Sequence, residues 1–171
     1  MGSPRVALRR VGIVLGGTAL VVLIASLVAP IGPGADGATF CYPILGPVQR
    51  FEPGLSDPLL GRVRAHERAH ADQCRRDGAL WHTLHRLVPR QRVLSEAEAY
   101  CAEVRYGIAN GGQARLLYAE VLDELRERPW FKRFSTAALA EALASWCPTI
   151  ARTAAREEAE WQVRLKARRP H

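Results

Sequence analysis

Residues 61–74 read GRVRAHERAHADQC, and the fold turns on whether this stretch is a helix. Ahead of it, Asp57-Pro58 is an N-cap followed by proline at the first helical position, and behind it Gly78 is a natural stop, so the spacing predicts a helix over 58–77. On that helix Leu59, Val63, His66, His70 and Cys74 recur at spacings of three and four and form one inward stripe. Arg64, Arg68, Asp72 and Arg75 fall on the opposite, wet side. The two histidines therefore continue an apolar face rather than dot a polar one.

Downstream the signals stay helical. Short apolar periodicity predicts a helix over 79–88 ending at Pro89, and a capping box of Ser95 with Glu98 opens another over 95–106, before the Asn110-Gly111-Gly112 turn. Helices over 113–127, 135–146 and 149–166 follow, separated by Pro129 and Pro148. Upstream, Pro30, Pro33, Pro43, Pro47 and Pro53 with several glycines mark 30–56 as an irregular linker and entry loop, with one short strand at Thr39 to Leu45. The fold class is mainly α, a small helical domain over 57–171 with at most one or two short strands.

The remaining segment is of another kind. From Val11 to Ala29 the chain runs VGIVLGGTALVVLIASLVA without a charge, and as a helix it reaches roughly 28 Å, close to the thickness of a bilayer's hydrocarbon core. Arg5, Arg9 and Arg10 lie in the basic residues 1–10 before it and the first charge after it is Asp36, so the basic bias places the N-terminus in the cytoplasm. The expectation is a single-pass anchor in the inner (plasma) membrane with the domain outside. The same order of basic, apolar and small residues describes a cleaved signal peptide, which would release the domain. The cleavage signal itself is poor: Val28-Ala29 runs into Pro30, and a site ending at Ala38 has Asp36 where a small residue is needed.

Three of the basic residues behind the formal charge of +7 are those N-terminal arginines. Towards the other end, basic residues from Arg152 to Arg169 interleave with Glu157, Glu158 and Glu160, the pattern of a solvated helix face and not of a nucleic-acid surface. The expected partner is the membrane, with no nucleic acid. Cys41, Cys74, Cys101 and Cys147 make an even number in a compartment that permits disulfides, so two bridges and three connectivities are open.

HERAH itself carries chemistry. Residues four apart on a helix point the same way, so His66 and His70 can direct two imidazoles at one metal, with Glu67 placed to take a proton from water. Zinc is the expected ion, because it accepts imidazole and carboxylate ligands and leaves a position for water. Random placement in a chain of this length yields roughly 0.01 matches to the pattern, so accident is a poor account of it. His82 and His85 in WHTLH could form a second pair, but without an acidic or cysteine neighbour they read as amphipathic packing.

Beyond His70 the chain continues to LSEAEAYCAE at 94–103. HERAH followed by Glu96-x-x-Ala99-Tyr100 on a later helix resembles the gluzincin metallopeptidases, in the form of small bacterial membrane-anchored variants. The resemblance covers residues 60 to 105 and implies Glu96 as third zinc ligand, Glu67 as catalytic base and Tyr100 as the residue that braces a metal-binding histidine. Tyr100 stands where better-known families have an aspartate, so it brings no charge to that task. Glu98 competes with Glu96 for the ligand role but points about 200° away on a helix and has the capping box to close.

If both motif helices meet at one metal, Cys74 and Cys101 come within bridging distance, and Cys41 is left to pair with Cys147. The implied function is a zinc-dependent peptidase acting on an unknown peptide or protein. Two alternatives stay open: a metal-binding structural module without catalysis, and a disulfide-stapled helical domain without metal.

Overall fold

A computed structural model describes residues 36–167. The apolar stretch 11–29, with the expectation of an anchor or signal, lies outside the described residues; among those, no helix is long and apolar enough to cross a membrane. The described chain runs β1 (Gly37–Tyr42), β2 (Gly46–Phe51), α1 (Asp57–Leu87), α2 (Pro89–Ala109), α3 (Ala114–Glu127), a 3-10 turn (Pro129–Phe131), α4 (Thr136–Trp146) and α5 (Pro148–Ala167). It is mainly helical, as the periodicity predicts.

Helix α2 is the centre of the packing. Val93, Ala97, Tyr100 and Val104, spaced by three and four, join Leu117, Val121 and Leu125 of α3, Phe131, and Leu139, Ala142 and Leu143 of α4 in one core. Leu125, Leu139 and Leu143 are fully covered, and burying each contributes about 1.5–3 kcal/mol. The adjoining face of α2, which carries Glu96 and Glu103, turns to α1. Two layers thus share one helix: an apolar one on the side of α3 and α4, a polar one on the side of α1.

Helix boundaries differ from the sequence expectation in two places, at Gly78 and ahead of Ser95. The predicted helices 58–77 and 79–88 are one element bent at Gly78, whose φ of 74° and ψ of 156° interrupt the helical backbone in a region that suits glycine. Helix α2 begins at Pro89, well before Ser95, because proline at the first helical position has its φ preset and no N–H to leave unsatisfied. The expected capping box is therefore absent: Ser95 lies inside α2 and donates to Gln73 Oε1 at 2.7 Å.

The stretch 37–51, expected as linker with a short strand at 39–45, is an antiparallel hairpin with register from Gly37↔Phe51 to Tyr42↔Gly46 and its turn at 43–45. Alternation along β1 decides what it covers. Thr39 and Cys41 point to α1, whereas Phe40 and Tyr42 stack on the other face with ring centroids 6.4 Å apart. Gly37 lies so close to α1 that a Cβ there would stand 2.7 Å from Val63 Cγ1 and 3.0 Å from Glu67 Cγ.

The bridges are Cys41–Cys74 and Cys101–Cys147, not the expected Cys74–Cys101 and Cys41–Cys147. Helical phase explains the difference. Cys101 is five residues past Glu96 and hence about 140° around α2, which turns it from α1 towards Cys147 at the C-cap of α4. Cys74 continues the stripe under β1, where Cys41 meets it at a Cα separation of 5.7 Å.

Candidate metal centre

The two imidazoles of α1 and one carboxylate of α2 converge. His66 Nε2 and His70 Nε2 each lie 3.6 Å from Glu96 Oε2, and one ligand atom from each residue falls within 4.8 Å of the others. A metal bound at about 2.0–2.2 Å in tetrahedral geometry holds its ligands roughly 3.3–3.6 Å apart, so the spacing fits one ion among these atoms. The three residues are 4–7% exposed. This buried His-His-Glu group could hold a metal ion, and Glu96 rather than Glu98 completes it, as the resemblance implies.

Each histidine is held from behind in a different way. His70 Nδ1 lies 2.9 Å from Gln73 Oε1, an acceptor, so Nδ1 donates there and Nε2 is the nitrogen that faces Glu96. Gln73 is itself fixed, donating through Nε2 to the Ser95 carbonyl at 2.8 Å and to Glu98 Oε2 at 3.0 Å. Glu98 also receives Arg76 at 2.9 and 3.0 Å. The rejected ligand candidate therefore serves the site one step out.

His66 has a charged support. Its Nδ1 lies 3.3 Å from Glu103 Oε2, near enough for strong attraction though the alignment makes no hydrogen bond. Glu103 accepts from Arg62 Nη2 at 2.8 Å and Nε at 3.1 Å, and Arg62 Nη1 reaches Glu120 at 3.0 Å. Burial works against a charged His66, but Glu103 and Glu96 outweigh it and lift the imidazole to about 10. Burial likewise opposes an ionised Glu96, and the two histidines overcome it and hold the carboxyl well below its usual range.

Tyr100 does not take the bracing position. Its ring meets His66 edge to face, centroids 4.5 Å apart at 78°, while its hydroxyl donates to Glu124 Oε1. The partner of that hydroxyl is thus Glu124 and not an imidazole nitrogen. The orienting carboxylate is Glu103, a residue that neither motif marks. Its position two helical turns beyond Glu96 is the one signal in the sequence, since that spacing returns to the same face.

Glu67 is 6% exposed and sits beneath β1. Thr39 Oγ1 donates to Glu67 Oε2 at 2.6 Å and also lies 2.9 Å from the Glu67 carbonyl. The hairpin thus fixes the carboxylate beside the first histidine. His82 and His85 stay outside the metal group: His82 is buried with Nε2 unpartnered, and burial first, then Arg86, lowers it to about 4, whereas His85 Nδ1 stands 3.9 Å from Asp77.

Compared with protein-family models, with curated proteins and with solved structures, the chain matches none.

Proposed function

We propose that the chain is a zinc-dependent hydrolase of peptide bonds, gluzincin-like, with Glu67 as its base and residues 11–29 as its membrane anchor. The observation that supports it is the meeting of His66, His70 and Glu96 at ion-holding distances, each imidazole turned by a separate outer partner. Zinc held there would polarise a carbonyl and make water acidic enough to be a nucleophile near neutral pH. Glu67 would accept the proton of that water and pass it to the leaving nitrogen. Thr39 keeps Glu67 in one orientation, and Gln73 and Glu103 keep the imidazoles in theirs.

A second reading, a structural metal module, is favoured by the enclosure of Glu67 and the ligands and by the Thr39 hydrogen bond that already occupies Glu67 Oε2. One set of measurements separates the two. Metal analysis of the purified chain should find about one zinc, lost in His66→Ala and kept in Glu67→Gln, and a peptide pool followed by mass spectrometry should be cut by the parent only. Metal with no cleavage by the parent favours the structural module; no metal in any form removes both.

A further inference from the structure

Three arginines are strung along the face of α2 that carries Glu96 and Tyr100, where Arg92 precedes Glu96 by one turn, Arg86 reaches Glu96 and Arg128 covers Tyr100, and the hydrolytic reading uses none of them. Arg86 Nη2 lies 3.7 Å from Glu96 Oε1, while the histidines approach Oε2. Arg92 has its guanidinium 4.7 Å from the centre of the Trp130 ring, and its Nε is buried without a hydrogen-bond partner. Arg128 stands 5.7 Å over the Tyr100 ring and donates to Glu124 Oε1 at 2.8 Å. They come from separate places, beyond the Gly78 bend, in the first turn of α2 and at the C-cap of α3, and all three are half-buried.

Arg92 is the member that is costly without an anion, since Glu96 stands beside Arg86 and Glu124 beside Arg128. Partial burial strips water from the guanidinium groups, and like charges in low dielectric repel one another. Arg92 registers this: burial first, then Arg86 and Arg128, pull it below the ordinary arginine range, with Glu96 working the other way. The nearby acids are already engaged, Glu124 by Arg128 and Tyr100 and Glu96 by the histidines. A metal drawing on Glu96 would leave Arg86 less well neutralised. Planar guanidinium forks with spare N–H groups suit a carboxylate, which can accept two parallel bonds.

We propose that Arg86 and Arg92, backed by Arg128, form a carboxylate-binding subsite beside the metal centre, so that the substrate is a peptide presenting a carboxylate next to the bond that is cut. The place of this subsite in a reaction rests on the zinc hydrolase reading; carboxylate binding by the arginines does not. The carboxylate has two sources, a free C-terminus or an acidic side chain.

The test follows the arginine Nε–Hε signals of the full-length chain by nitrogen-15 NMR, at constant ionic strength, with and without zinc. N-acetylglycine models a free C-terminus and N-acetylglycinamide its neutral counterpart. N-acetylaspartic acid α-amide models an acidic side chain, and the corresponding diamide carries no carboxylate. The acids are expected to shift the Arg92 signal saturably and to bind at least about tenfold more tightly than the amides. Arg86→Gln and Arg92→Gln should each weaken the acids by about tenfold and leave the amides unchanged. Arg86 lies near the surface, so its replacement leaves the core intact.

The tighter of the two acids identifies the source. Equal binding of acids and amides, in both zinc-free and zinc-loaded protein, would overturn the proposal, as would acid affinities that neither substitution changes. Carboxylate binding in a chain that takes up no zinc would leave the subsite standing and end the metal reading. Zinc uptake without preference for the acids would do the reverse.

Discussion

One turn apart on the same helix, His66 and His70 present the same nitrogen to Glu96, yet the regions behind them are opposites. Behind His66 stands a chain of charges, Glu103, Arg62 and Glu120; behind His70 stands a largely neutral one, Gln73 and Ser95, with Glu98 only beyond them. The charged side raises the basicity of its imidazole, whereas the neutral side orients its imidazole through the Gln73 contact. Orientation and electrostatic tuning, often supplied by one carboxylate, are divided here between two histidines.

The largest test removes what both regions serve. Glu96→Gln takes away the ligand shared by the two imidazoles and should lower metal affinity by about a thousandfold, since three protein ligands share a binding free energy on the order of 10–16 kcal/mol. Competition with a chromophoric chelator measures it, and retained affinity would mean that Glu96 is not a ligand of the ion.

A second test probes the neutral region by pH. His82, buried on that side of α1, is lowered in the folded chain to about 4 from an ordinary 6.5. Between those values the unfolded chain binds a proton that the folded chain does not, so stability falls as pH drops from about 6.5 to about 4. Urea titrations of the parent and His82→Gln at pH 7 and pH 4.5 should show the loss in the parent and a smaller one in the variant. Equal losses would assign acid sensitivity to other groups.

The contrast between the supports is tested by cutting each. Glu103→Gln is expected to weaken metal binding by about 100-fold and Gln73→Ala by about tenfold, the two ends of the range for groups that orient metal ligands. Equal losses would erase the distinction drawn above. The smallest effect belongs to Thr39→Val, which should cost about 1 kcal/mol in thermal unfolding and leave metal content unchanged, because its hydroxyl holds Glu67 and not a ligand.

Much of the site is legible without its geometry. The stripe of His66, His70 and Cys74 is a consequence of helical period, and so is the separation of Glu96 from Glu98 by about 200°, while the choice of Glu96 comes from the resemblance. Glu103 and Arg62 are not legible in the same way, because a carboxylate and a guanidinium on helices carry no mark of whether they face a histidine or water. Resemblance assigns Tyr100 a bracing role, and packing takes its hydroxyl to Glu124 instead. The hairpin over Glu67 is hidden by prolines and glycines that mark turns as readily as linkers.

Local periodicity by itself determined the helical class and the inward stripe of His66 and His70, since these depend on angles of turn along a single segment, while Glu96 as their partner came from the resemblance. Partnership between segments was decided only by the tertiary structure: which cysteines bridge, which acid stands behind His66, and which strand covers Glu67. Those outcomes follow from how helices cross and how close two backbones come, and distant stretches of chain do not encode that singly.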